Sequence, residues 1–131
     1  MTLAVDASVA VEYLLDKELG RRVAPQLESD RLVAPELIDA EVLAALRRAR
    51  LRHLVTERRA AEMVSDLRAW PLVRLSHRPL LADAWRLRES VSAYDALYLA
   101  AAVAHSAPLI TADGRLARAP RLGVLVQHVA I

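Results

Sequence analysis

Five short apolar runs punctuate the chain, and helical stretches separate them: Leu3-Ala4-Val5, Leu32-Val33-Ala34, Leu72-Val73-Arg74-Leu75, Leu109-Ile110-Thr111 and Val124-Leu125-Val126. Runs of this length are too short for stable helices. Their near-continuous apolar character marks strands buried on both faces. Between them the chain reads as helix over Ser8–Leu15, Leu19–Glu28, Leu37–Leu51, Thr56–Ala69, Leu80–Glu89 and Ala93–His105, with a short helical turn near Leu116. Pro25 interrupts the second of these, where it removes a hydrogen-bond donor and is expected to kink or split the helix. In Leu37–Leu51 the residues Ile38, Val42, Ala45, Leu46 and Ala49 recur at helical spacing and form one apolar stripe. Strands alternating with helices predict an α/β fold, a three-layer α/β/α sandwich around a mainly parallel sheet. With 131 residues and no linker or repeat, the expectation is one domain spanning residues 1–131.

A parallel sheet of this kind places sites at the carboxyl ends of its strands, near a switch in strand order. Asp6 and Asp113 stand at such ends, in two related stretches, LAVDAS at 3–8 and LITADG at 109–114. Asp95 opens the apolar helix that precedes the fourth strand, and Glu41 lies in the first turns of Leu37–Leu51. Each acid has an ordinary structural explanation. Asp6 suits a helix N-cap. Glu41 suits the positive end of a helix dipole. Asp95, three residues after Ser92, suits a capping box. Asp113-Gly114 suits a turn. Together they sit at element ends that a parallel sheet can bring to one edge. Carboxylates gathered there repel, and protonation or a divalent cation relieves the repulsion. All-oxygen donors favour Mg²⁺ or Mn²⁺. Glu36 and Asp39 lie near enough to Glu41 to assist.

The absence of cysteine excludes thiolate metal sites and disulfides, and fits a cytoplasmic protein. The longest apolar run, Ala96 to Ala104, falls far short of the roughly 20 residues a membrane helix needs. The four histidines show no metal-ligand spacing and read as surface or edge residues.

LAVDAS, DAEVLAAL, SAYDALYLAAA and LITADGRLARA together resemble the PIN-domain family, and most closely its VapC-type toxins of bacterial toxin–antitoxin pairs. The resemblance runs from Leu3 to the last strand. Carried over by position, Asp6, Glu41, Asp95 and Asp113 match the family's acidic quartet, which implies metal-binding and catalytic roles. Ser8 and Thr111 match small polar positions beside the metal. Ala44 stands where many relatives have asparagine. The resemblance implies a Mg²⁺- or Mn²⁺-dependent endoribonuclease with a VapB-type antitoxin partner, commonly a homodimer.

All basic residues but Lys17 are arginine, and the formal net charge is +2. Without the quartet the balance is more basic still. Arg47, Arg48, Arg50 and Arg52, with Arg58 and Arg59 beyond them, form a candidate RNA-binding patch, since guanidinium groups pair well with phosphate. Two other functions fit parts of the pattern. A metal-dependent phosphatase or phosphoacceptor domain would use Asp6 as nucleophile, but usually adds a second acid where this chain has Ser8. A catalytically silent binding protein has no need of four acids.

Overall fold

The computed structural model describes residues 1–119 and 123–130. Strands β1 (Thr2–Val5), β2 (Arg31–Pro35), β3 (Leu72–Leu75), β4 (Leu109–Thr111) and β5 (Val126–His128) form one sheet in the order β3-β2-β1-β4-β5. Every pairing is parallel, with Leu3 beside Leu32 and Val5 beside Ile110. The strand order turns back at β1. Its next two strands lie to one side, and β4 and β5 lie to the other.

Helices α1 (Ala7–Leu14), α2 (Glu18–Ser29), α3 (Leu37–Leu51) and α4 (Glu57–Ala69) pack against one another as one layer. The second layer holds α5 (Leu81–Arg86) and α6 (Ala93–Ala104), and α6 lies across β2, β1 and β4. The short α7 (Gly114–Arg118) follows β4. This is the expected three-layer α/β/α sandwich.

The apolar stripes become the core. Val9, Ile38, Val42, Leu46 and Met63 are buried from the first layer, and Tyr98, Leu99 and Ala102 from the second. Ala96, Ala100 and Ala101 make a smaller cluster with Leu80 and Ala84, which seats α5 on α6. Each large aliphatic side chain so buried contributes roughly 1.5–3 kcal/mol.

Three local features differ from expectation. Helix α2 runs unbroken through Pro25. Its buried residues Leu19, Val23 and Leu27 hold one face against the core and offset the lost backbone bond. The helix expected over Leu80–Glu89 is a 3-10 turn at Arg78–Leu80 followed by α5, which stops at Arg86. Beyond it, Arg88 N–H donates to Trp85 and Ser90 N–H to Leu87, so the chain tightens into turns. The last strand lies two residues later than its apolar run. It is an edge strand, and backbone register fixes it: Leu109 N–H donates to the Leu125 carbonyl and Val129 N–H to that of Thr111.

Arg74 explains the one charge within the β3 run. Its guanidinium bonds both Asp39 oxygens, each at 3.1 Å, and the carbonyls of Leu67, Trp70 and Leu72. Asp39 is thereby committed to joining α3 to β3. Gly20 sits where α2 crosses the end of α1. A Cβ there would lie 2.2 Å from the Glu12 carbonyl oxygen and 2.6 Å from Tyr13 Cα.

Candidate active site

The reversal of strand order opens a seam between the carboxyl ends of β1 and β4, and the candidate acids gather around it. Asp6 follows β1 directly. Its backbone occupies the N-cap position of α1, but its side chain makes no cap bond. Instead Oδ2 accepts from Ser8 Oγ and from Thr111 Oγ1, both at 2.7 Å. Ser8 Oγ also accepts from the Ala112 N–H at 3.0 Å, and Thr111 Oγ1 from the Asp113 N–H at 3.0 Å. Two hydroxyls thus lock Asp6 to the strand beside it. Burial raises the Asp6 carboxyl above its ordinary range, against the pull of the Ser8 and Thr111 hydroxyls, and the charge of Asp113 adds to the rise.

Asp113 caps α7. Its Oδ1 accepts from the N–H groups of Arg115 at 2.9 Å and Leu116 at 3.4 Å. Asp95 sits one turn into α6, where Ser92 is the cap: Ser92 Oγ accepts from the Asp95 N–H at 3.2 Å. Partial burial raises the Asp95 carboxyl, followed by the charge of Asp6. The Ser92 hydroxyl opposes this, while the charges of Asp113 and Glu41 add to it. Asp95 therefore lies within electrostatic reach of Asp6, Asp113 and Glu41, and Asp6 within reach of Asp113. The capping roles of Asp113 and of the Ser92 turn are real, and they hold the acids in place.

Glu41 comes from α3, in the other layer. Its Oε1 accepts from the Tyr98 hydroxyl at 2.6 Å. Tyr98 is 1% exposed and lies three residues after Asp95 on α6. Burial raises the Tyr98 phenol above its ordinary range, with the Glu41 bond and charge next. The sequence reading missed this residue. Its signal was the three-residue spacing, which sets Tyr98 on the face of Asp95.

An open cleft of about 350 Å³ adjoins the acids, lined by Ser8, Glu12, Glu41, Arg48 and Asp113 among others. Glu12, from α1, was not singled out in the sequence. Of the arginine patch, Arg48 reaches this cleft, two turns along α3 from Glu41. Arg50 is paired with Glu57 at 2.7 Å, and Arg58 and Arg59 are paired with Glu62. Arg47 and Arg52 are exposed on the same stretch. His77 is more than a surface residue: its Nε2 accepts the N–H of Leu37, at the start of α3, at 3.0 Å.

The donors around the seam are carboxylates and hydroxyls, which suit a hard divalent cation. Besides burial, neighbouring carboxylates contribute to the rise at Asp6 and Asp95, and a cation would relieve that part. Among the described residues, no three acidic or histidine side chains stand close enough to enclose an ion. An ion that takes one or two carboxylates and keeps several waters is compatible with this spacing.

A sheet reversing at β1, with acids from four elements at the reversal, defines the class of protein. The PIN domain model matches residues 3–122, and the chain belongs to that family. Within it, the chain is 35% identical over 128 residues to Ribonuclease VapC12 of Mycobacterium tuberculosis, covering 98% of this chain and 99% of that protein. It is 42% identical over 120 residues to Ribonuclease VapC1 of the same organism, covering 90% of each. The fold is similar to a chain of VapBC2 from Rickettsia felis, solved bound to a DNA fragment from its promoter, with a TM-score of 0.71 at 11% identity and coverage of 98% and 99%. FitAcB from Neisseria gonorrhoeae gives 0.66 at 19% identity, covering 95% of both chains.

Proposed function

We propose that this chain is a Mg²⁺- or Mn²⁺-dependent endoribonuclease, the toxin of a type II toxin–antitoxin pair. The observation that carries the reading is the electrostatic reach of Asp95 to Asp6, Asp113 and Glu41 beside the β1–β4 seam, in a chain whose full-length relatives are VapC ribonucleases. One or two of these acids would hold the ion directly, and the others would stand around its retained waters. A bound divalent cation supplies Lewis-acid stabilisation of charge on phosphate oxygens and makes water a competent nucleophile at neutral pH. The chain's own work is placement. Ser8 and Thr111 fix Asp6, the α7 amides fix Asp113, and the start of α6 presents Asp95. Arg48, at the cleft, binds the phosphate backbone of the RNA. Ser8 stands where a phosphoacceptor mechanism usually places a second acid, and its hydroxyl is engaged with Asp6 and the Ala112 N–H.

The natural partner is a VapB-type antitoxin, and the toxin works in the cytoplasm as a homodimer. No helix among the described residues is long and apolar enough to cross a membrane. The test is cleavage of a panel of structured RNAs by purified protein. Cutting should require Mg²⁺ or Mn²⁺, cease with chelator, fall to background in Asp6→Asn, and be suppressed by the co-purified antitoxin. Equal cleavage in excess EDTA would falsify the mechanism.

A further inference from the structure

We infer that Tyr98 is a positioning residue for Glu41, holding one carboxylate oxygen so that the side chain presents the other to a divalent cation. The inference rests on the function proposed above and goes beyond it, because it assigns a fixed orientation to Glu41, which comes from the helical layer opposite α6. Three observations carry it. The Tyr98 hydroxyl donates to Glu41 Oε1 at 2.6 Å, a short, charge-assisted bond. Glu41 also lines the cleft with Ser8 and Asp113, so its carboxylate is not wholly enclosed by Tyr98. Tyr98 shares α6 with Asp95, one turn away, so a single rigid helix sets both Asp95 and, through the phenol, Glu41.

A ligating carboxylate free to rotate loses side-chain entropy when it binds an ion. One already held by a neighbour has lost it on folding. Groups that orient metal ligands in this way typically change metal affinity about 10–100-fold when removed. Tyr98→Phe deletes only the hydroxyl from a side chain that is otherwise core.

The experiment is calorimetric titration of the full-length protein with Mn²⁺, for wild type, Tyr98→Phe and Glu41→Gln, below their melting temperatures. Tyr98→Phe should weaken Mn²⁺ binding about tenfold or more. RNA cleavage by that variant should recover at saturating Mn²⁺, which Glu41→Gln should not match. A phenol that merely fills the core would lower the melting temperature and leave Mn²⁺ affinity unchanged, and that result overturns the inference. Wild type that binds no Mn²⁺ overturns the metal-dependent reading itself, and the inference with it. Should the Phe variant not fold, the wild type still decides. The chain has three tyrosines, so ring-labelled Tyr98 can be assigned through Tyr13→Phe and Tyr94→Phe. Its Cζ resonance should shift on adding Mg²⁺ while those of Tyr13 and Tyr94 stay; a stationary Tyr98 signal overturns the inference.

Discussion

The Thr111 hydroxyl donates to Asp6 Oδ2 at 2.7 Å, joining residues 105 positions apart across the seam between β1 and β4. The bond stabilises the charged carboxylate inside a buried setting.

Thr111→Val keeps the shape and removes the donor. We predict a loss of about 1–3 kcal/mol in metal-free stability, the usual cost of stripping a partner from a buried polar group. Denaturant unfolding measures it. A donor to a carboxylate lowers its pKa, so its loss pushes Asp6 further up. The acid limb of the pH–rate profile should then move to higher pH. Thr111→Ser should restore both properties; a Ser variant as impaired as Val would show that the methyl group matters and the hydroxyl does not.

Asp95→Asn separates ligand from cap. The folded carboxyl is raised above the unfolded value of 3.8 by burial and by the charge of Asp6. The folded state therefore holds the proton more tightly. The stability this gives is complete below the unfolded pKa and is lost as pH rises through the folded one. Asn has no such titration. In metal-free protein, Asp95→Asn should gain on wild type as pH rises through that window, while its RNA cleavage collapses. Ser92→Ala should lose about 1 kcal/mol of cap energy and keep cleaving. An active Asp95→Asn enzyme removes Asp95 from the site.

Arg48→Gln tests the cleft. It should raise KM for RNA with kcat little changed, and flatten the salt dependence of RNA binding by about one phosphate contact. Arg58, paired with Glu62 and not a lining residue of the cleft, is the comparison. Identical salt slopes for Arg48→Gln and Arg58→Gln would take Arg48 out of RNA binding.

Gly20→Ala forces a methyl group into the Glu12 backbone. Both neighbours are main chain and cannot swing aside. A loss of about 1–3 kcal/mol is expected, the range for overpacking. Thermal melting checks it; an unchanged melting temperature would mean that α1 and α2 separate freely.

The acids were legible because each closes or opens an element, where one residue type and its neighbours carry the signal. The sheet was legible because buried parallel strands read as uninterrupted apolar runs. What the sequence hid depends on who meets whom across layers. Tyr98 reads as one more core residue of an apolar helix until α3 brings Glu41 to its hydroxyl. Asp39 reads as a helper of Glu41 until β3 supplies Arg74. Arg48 and Arg50 look alike in the run, but two residues apart on α3 they leave on different faces, Arg48 to the cleft and Arg50 to Glu57. The edge strand misled for a different reason: its place is set by backbone pairing, which leaves no apolar signature.

The reversal of the sheet at β1 also dictates when the site can exist. Asp6 emerges from the ribosome well before Thr111, which follows it by 105 positions, and well before Asp113. Strand β4 must dock beside β1 before the three can meet, and so long-range a contact is slow to form. A nascent or truncated chain lacking β4 can carry Asp6, Glu41 and Asp95 and still have no seam to hold them. The cell that makes this protein is spared an active nuclease on its own ribosomes until β4 has been made and docked, which leaves that interval for a restraining partner to be ready.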